Sequence, residues 1–283
     1  MSESKQSERT LLAVFAHPDD ESFGPGGTLA LYAQRGVNVH LICATRGEVG
    51  ETPEEVGERT DEKVARLREN ELRCAAQILG LKEVHFLGYR DSGMPGTETN
   101  LHPRALANTP VDEVAEKVAE IARSVQPQVM ITFDPIGGYR HPDHIAIQKA
   151  AVKAFADLRA DDSPEAYKPQ KLYYHTFPKR LMRILVRLMP LFGRDPHRFG
   201  VNKDIDLVDI AAVDYPIHAR IQIRSVTDIK AQASACHASQ QGGGSDGIFR
   251  FLLRLFGSRE EFMRAYPPAP DSLSETDLFT GVE

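Results

Sequence analysis

The sequence predicts an α/β protein with a mostly parallel sheet flanked by helices on both faces. Short apolar runs of strand length alternate with longer stretches of helical periodicity, and Gly residues stand where helices should stop. Leu11-Leu12-Ala13-Val14-Phe15 opens the pattern as a buried strand expected from Leu11 to Ala16. Gly24-Pro25-Gly26-Gly27 then turns the chain into a helix from Gly27 to Arg35, capped by Gly36. A strand from Val37 to Ala44 leads to a helix from Asp61 to Leu79 that Gly80 closes. The strand Val84 to Leu87 follows, then a helix from Val111 to Val125, with Asp112, Glu113 and Glu116 placing negative charge near its start. Val129 to Phe133 is the next strand. Asp134 to Arg140 is a Gly-containing loop, Pro142 to Leu158 a helix with apolar positions Ile145, Ala146 and Ala150, and Lys171 to Phe177 a last strand. Beyond Phe177 two basic apolar stretches and a Gly-Gly-Gly-Ser segment interrupt the alternation. A single domain over residues 1–283 is expected, with the chemistry within 11–150 and 177–283 forming a pocket wall, lid or interface.

A chain of 283 residues can bury a large core without cross-links. Its net charge of -6, with basic residues scattered among acidic ones, gives no electrostatic footprint for nucleic acid. Cys43, Cys74 and Cys236 are odd in number, far apart and lack a C-x-x-C pair, so a disulfide framework is not expected and a reducing compartment is the more natural setting. Met1 to Thr10 lacks the apolar core of a signal peptide, and no run is long and uncharged enough to span a bilayer. The expectation is a cytoplasmic protein.

Two polar clusters end apolar runs: Ala16-His17-Pro18-Asp19-Asp20-Glu21 and His141-Pro142-Asp143-His144. In open α/β sheets the crevice beyond the carboxyl ends of strands is where ligands bind. His17 and Asp20 are close enough for one tight turn to aim an imidazole and a carboxylate at one ion, and His144 can close the site from a neighbouring strand end. Two His and one carboxylate leave a coordination position open. That is the composition of a catalytic zinc site, where a bound water has its pKa lowered to about 7. Ferrous iron accepts the same donors. Without Cys, a closed structural zinc site is disfavoured. Each His-Pro-Asp taken singly reads as a turn, with Pro setting a backbone angle and Asp capping a helix; finding both at strand ends favours metal. A dinucleotide site is another reading of strand, Gly-rich turn and helix. Against it, Leu29 stands where the third Gly of G-x-G-x-x-G belongs, and the acidic side chains before the turn would repel a pyrophosphate.

Ala16-His17-Pro18-Asp19-Asp20-Glu21, Thr45-Arg46-Gly47-Glu48, Arg68-x-x-Glu71-Leu72 and His141-Pro142-Asp143-His144, in this order, resemble the LmbE-like, or PIG-L, family of zinc-dependent de-N-acetylases. The resemblance runs through about Ala150, with a weaker echo at His237-Ala238-Ser239-Gln240. It implies a Rossmann-like fold and removal of an acetyl group from an N-acetylglucosaminyl conjugate, some members instead cleaving amides of thiol conjugates. It further implies that His17, Asp20 and His144 hold Zn2+, or Fe2+ or another divalent metal, while Asp19 acts as general base on the attacking water. A protonated His141 would stabilise the oxyanion, either it or Asp19 would protonate the departing amine, and Asp143 would orient the His141 imidazole.

At lower weight, Tyr139 resembles a loop tyrosine that swings toward the carbonyl oxygen, and Arg68 the family's substrate-binding arginine. Asp91 and Glu48 stand where sugar hydroxyls can be bound, although Asp and Gly are ordinary turn residues. Arg140 departs from the family, where many relatives have a small residue. His40, His85, His102, His175, His197 and His218 have no metal spacing and are expected to be structural or exposed.

The segment Phe177 to Phe192 interleaves Lys179, Arg180, Arg183 and Arg187 with apolar residues, a cationic amphipathic helix. Packing or a lid, with Arg stems covering apolar surface, is favoured over membrane contact for it and for Ile248 to Phe256. A homo-oligomer is compatible with both. The reading is a zinc-dependent hydrolase acting on a small-molecule amino sugar. The alternatives are an amidase for a thiol conjugate or other small amide, a metal-binding relative without turnover and a nucleotide-binding protein.

Overall fold

Uninterrupted apolar runs become strands buried on both faces, because a parallel sheet is covered by its crossover helices on each side. The computed structural model describes residues 8–50, 59–176, 179–198, 206–240 and 258–282. Strand β1 (Thr10–Phe15) is buried at every position and pairs in parallel with β2 (Asn38–Thr45) and β4 (Val129–Phe133). β3 (Glu83–Tyr89) lies outside β2, and β5 (Lys171–Thr176) outside β4, both also parallel. The expected elements form with boundary shifts of a few residues at most.

Two strands not foreseen complete a seven-stranded sheet of order β3-β2-β1-β4-β5-β7-β6. β7 (Arg259–Tyr266) runs antiparallel to β5 and to β6 (Ala219–Gln222). Charge concealed β7: its Glu260 is buried, where a strand pattern would place an apolar residue. Its carboxylate accepts the N–H groups of Gly27 and Thr28 at 3.0 and 2.7 Å and meets Lys230 Nζ at 2.6 Å. It thereby occupies the start of the helix after β1, where a dinucleotide fold would receive a pyrophosphate. The nucleotide alternative is corrected on that ground.

The described helices are α1 (Asp20–Phe23), α2 (Gly26–Gln34), α3 (Asp61–Leu79), α4 (Val111–Val125), α5 (Gly137–Arg140), α6 (Pro142–Ala160), α7 (Lys179–Leu188), α8 (Leu207–Ala212) and α9 (Thr227–Cys236). α3 is bounded as its sequence implies: the Thr60 side chain accepts the Lys63 N–H, and Gly80 ends it at φ 77°. α9 packs against α3 and α2, and Cys236 at its end is joined to Cys74 in α3, with Cα atoms 6.0 Å apart. This corrects the expectation of unpaired cysteines and removes the cysteine argument for a reducing compartment. Residues distant in sequence became neighbours through the helix packing. Cys43 is free and buried.

In the amphipathic segment, Met182, Val186 and Met189 pack with Leu207 and Ile210 of α8 and with Tyr139, while Ile184, Leu191 and Phe192 are exposed. The stretch Ile248 to Phe256 lies outside the described residues. No described helix is long and apolar enough to cross a membrane.

Candidate active site

β1 and β4 are neighbours, but the chain leaves them toward opposite sides of the sheet, to β2 and to β5. That divergence opens a crevice beyond their carboxyl ends. Both polar clusters lie there.

Each donor is aimed by its second hydrogen bond. Asp20 Oδ2 accepts from the N–H groups of Ala16 (3.2 Å) and His17 (2.8 Å), which ties the carboxylate to the strand end. His144, in the first turn of α6, donates Nδ1–H to the Gly137 carbonyl at 3.0 Å, which turns its Nε2 into the crevice. His17 turns Nε2 to Asp143 Oδ2 at 3.1 Å and Nδ1 toward His144. His17 Nδ1 and His144 Nε2 are 3.1 Å apart, and of the Asp20 carboxylate Oδ2 lies 3.7 Å from the first and Oδ1 3.3 Å from the second. A tetrahedral ion with bonds of about 2.0–2.1 Å spaces its ligands about 3.3–3.4 Å apart. The donor set and its spacing therefore fit a divalent metal. His141 also brings a ring nitrogen within 4.8 Å of the donors of His17 and His144.

Electrostatics divides the carboxylates. Burial opposes ionisation of Asp20, but His144 and His17 hold its pKa well below the usual range. Burial pushes Asp19 up to about 6, with Arg68 pulling the other way. His17 is disfavoured as a cation by burial, yet the Asp91 charge and the Asp143 hydrogen bond raise its pKa well above the ordinary value. His141 is the reverse: burial and the neighbouring His17 and His144 hold it well below. Its Nδ1 accepts the Asp143 N–H at 3.2 Å, so it is the neutral Nε2–H tautomer. The protonated His141 that the resemblance implies would have to give up this bond.

The Asp143 carboxylate serves His17 instead of His141, and is held by the Ser92 N–H at 2.9 Å and the Ser92 hydroxyl. Arg68 is buried and donates to the Gly47 carbonyl (2.8 Å), the Pro18 carbonyl (2.7 Å) and Asp19 Oδ2 (3.1 Å), so its contacts are internal and not those of an open substrate site. Asp91 is also buried, with Oδ1 3.6 Å from His17 Nε2 and accepting the Gly93 N–H at 2.9 Å. Glu48 accepts the Asp91 N–H at 3.2 Å through Oε1, while its Oε2 is buried with no hydrogen-bond partner among the described residues. The Tyr139 ring lies 4.9 Å from that of His144, and burial raises its pKa well above 10, keeping the hydroxyl protonated. Arg140, at φ 68°, turns away to Asp209, its Nε 2.5 Å from Oδ2. A pocket of about 130 Å³ joins Asp19, Asp20, His144 and Tyr139 to the apolar rings of Phe15 and Phe133.

The sequence assigned no role to Ser92, Glu21 or Glu71. Ser92 holds Asp143, Glu21 holds the Asp19 N–H and Glu71 holds Ser239; Glu21 and Glu71 stood in the motifs without a role, and Ser92 only beside Asp91. His237, a weak echo in sequence, is fully buried with Nε2 2.7 Å from Glu21 Oε1. Against expectation, His40 Nδ1 and His85 Nε2 meet at 3.3 Å across β2 and β3, with Glu83 beside them, because the parallel register aligns those positions.

Residues 12–155 match the PIG-L family, described as GlcNAc-PI de-N-acetylase. A 1D-myo-inositol 2-acetamido-2-deoxy-alpha-D-glucopyranoside deacetylase from Acidothermus cellulolyticus is 37% identical, over 97% of this chain and 96% of its own. Among solved structures, the N,N'-diacetylchitobiose deacetylase from Pyrococcus horikoshii superposes with a TM-score of 0.63 at 20% identity, covering 98% of this chain and 87% of the other. The 4-carboxy-2-hydroxymuconate hydratase from Pseudomonas putida does so at 0.60 and 21%, covering 94% and 99%. Two chemistries on one architecture mean that the fold alone does not choose between them.

Proposed function

The chain belongs to the PIG-L family of de-N-acetylases, and from that premise we propose that it removes the acetyl group from a glucosaminide of inositol, with zinc as its metal. The observation that carries this is the triangle of His17 Nδ1, His144 Nε2 and the Asp20 carboxylate beside the Asp19 carboxylate. His17, Asp20 and His144 would hold the ion, which when bound supplies a Lewis acid that polarises the acetamide carbonyl and acidifies water.

The chain's own groups do the rest. Asp19, pushed up to about 6, is ionised at neutral pH yet basic enough to take a proton from the attacking water. The Nε2–H of His141 and the hydroxyl of Tyr139 donate to the carbonyl oxygen as negative charge develops there. The proton that Asp19 takes from water is the one delivered to the departing amine. The Phe15 and Phe133 rings receive the acetyl methyl, and Glu48 Oε2 offers an acceptor to a sugar hydroxyl. One catalytic domain over 1–283 completes the proposal.

His141 in place of Asp20 as third ligand is suggested by the closeness of the three rings. The two backbone bonds to Asp20 Oδ2 favour Asp20, since they aim an anionic group that stays ionised. Acetate release from 1D-myo-inositol 2-acetamido-2-deoxy-alpha-D-glucopyranoside, before and after chelation and after return of Zn2+, tests the function. Loss on chelation, recovery with about one equivalent and one free amine per acetate are expected. Full turnover by chelated protein would contradict it, and cleavage only of a thiol-conjugate amide would favour the amidase.

A further inference from the structure

The Pro18–Asp19 peptide group is gripped at both polar ends. Its carbonyl accepts from Arg68 Nη2 at 2.7 Å, and its N–H donates to Glu21 Oε2 at 3.0 Å. Held this way, Asp19 has φ 128° and ψ -26°, a conformation that residues other than Gly rarely adopt and that persists only where surrounding contacts impose it. Arg68 Nη2 also lies 3.1 Å from Asp19 Oδ2, so the side chain is aligned with its own strained peptide.

The Glu21 end of the grip is anchored far along the chain. Glu21 Oε1 accepts from His237 Nε2 at 2.7 Å and from the Ser22 hydroxyl at 2.5 Å, and Glu21 and His237 are both 0% exposed. His237 is fixed on either side. Cys236 is joined to Cys74 of α3, and Ser239 donates its N–H and hydroxyl to the Glu71 carboxylate of α3 at 2.8 and 2.6 Å. Helix α3 thus sends Arg68 to one end of the peptide and anchors what holds the other. Neither Glu21 nor His237 lines the pocket, and the hydrolytic step uses neither.

We propose that Glu21 and His237 are positioning residues: together they hold the Pro18–Asp19 peptide in its strained orientation, so that the Asp19 carboxylate stays aimed at the attacking water. Without them the peptide rotates toward negative φ and the carboxylate swings off line. The proposal rests on Asp19 being the base and adds what keeps it in place. It also gives the distant His237-Ala238-Ser239-Gln240 segment a part in the rate without contact with substrate.

The test is a double-mutant cycle on the metal-loaded full chain, with acetate release from 1D-myo-inositol 2-acetamido-2-deoxy-alpha-D-glucopyranoside as readout. H237A is expected to lower kcat on the order of 10- to 100-fold, the cost of a misplaced catalytic group, with KM and metal content little changed. In a D19N background the same substitution is expected to change the residual rate by less than about twofold, because the two then act as one unit. H237Q, which keeps a donor for Glu21, is expected to recover most of the loss; E21Q, read in the same cycle, serves if H237A does not fold. Equal costs of H237A with and without D19N, loss of metal in proportion to activity, or no loss of kcat would each overturn the proposal. Full activity of D19N alone would instead overturn the base assignment, and this proposal with it.

Discussion

Removing the charge of Asp143 separates two accounts of what that residue does. Family resemblance has it orient His141, whereas its Oδ2 lies 3.1 Å from His17 Nε2 and its backbone N–H, not its carboxylate, meets His141. A carboxylate on the far nitrogen of a ligating imidazole fixes the ring and raises its basicity, and losing such a partner typically weakens metal binding about 10- to 100-fold, or about 1.4–2.8 kcal/mol. D143N leaves one oxygen able to serve both His17 and the Ser92 N–H, which now share Oδ2 at 3.1 and 2.9 Å. The charge is lost and the Ser92 hydroxyl loses its Oδ1 acceptor, while the His17 contact is kept, so about tenfold is expected. D143A also orphans His17 Nε2 and Ser92, so the upper end of the range is expected. The assay is metal competition against a chromogenic chelator, beside kcat at saturating metal. Weakened metal affinity with kcat within about threefold once metal is restored supports the contact to His17. Unchanged affinity with a collapsed kcat would refute this reasoning and return Asp143 to His141.

Because Asp91 and Asp143 hold the His17 pKa high against the effect of burial, a metal must displace a proton from it. Metal affinity should rise with pH on the order of tenfold per unit below that raised pKa, measured by competition titration. The sign for the metal-free fold is opposite: this protonation stabilises it at low pH, and the contribution is lost as pH rises through the raised value. Gly47 sits at φ 66°, where an added Cβ would lie 2.1 Å from Arg68 Nη1. G47A should therefore displace the guanidinium, lower kcat and destabilise by about 1–3 kcal/mol in urea unfolding. The Cys74–Cys236 bridge spans 162 residues, for which chain entropy gives a stabilisation of about 5 kcal/mol at most. C74A/C236A should unfold at lower urea, and thiol reductant should shift the parent but not the variant.

The parallel half of the fold was legible because its strands, buried on both faces, are continuous apolar runs and α3 carries an ordinary Thr60 cap and Gly80 stop. β6 and β7 were not legible, since β7 buries Glu260 as the cap of α2, an arrangement that periodicity cannot distinguish from a polar loop. The cluster proposed to hold the metal was readable because metal chemistry restricts residue types, and its members stand at the ends of adjacent strands, where the fold brings them together. Their supports were not: Ser92 under Asp143, and Glu21 bound to His237 across 216 positions, arise from packing. Arg68 shows the limit most clearly. Its motif marked it as important, but only the fold shows its guanidinium turned inward to Pro18, Gly47 and Asp19.

The central claim is that His17, Asp20 and His144 hold the metal while Asp19 does the proton chemistry. Metal content and acetate release measured together on H17A and D19N test it most directly. D19N is expected to keep about one metal per chain and lose turnover on the order of 100-fold or more, while H17A loses both. A D19N protein that turns over like the parent, or an H17A protein that binds metal as tightly as the parent, would contradict it.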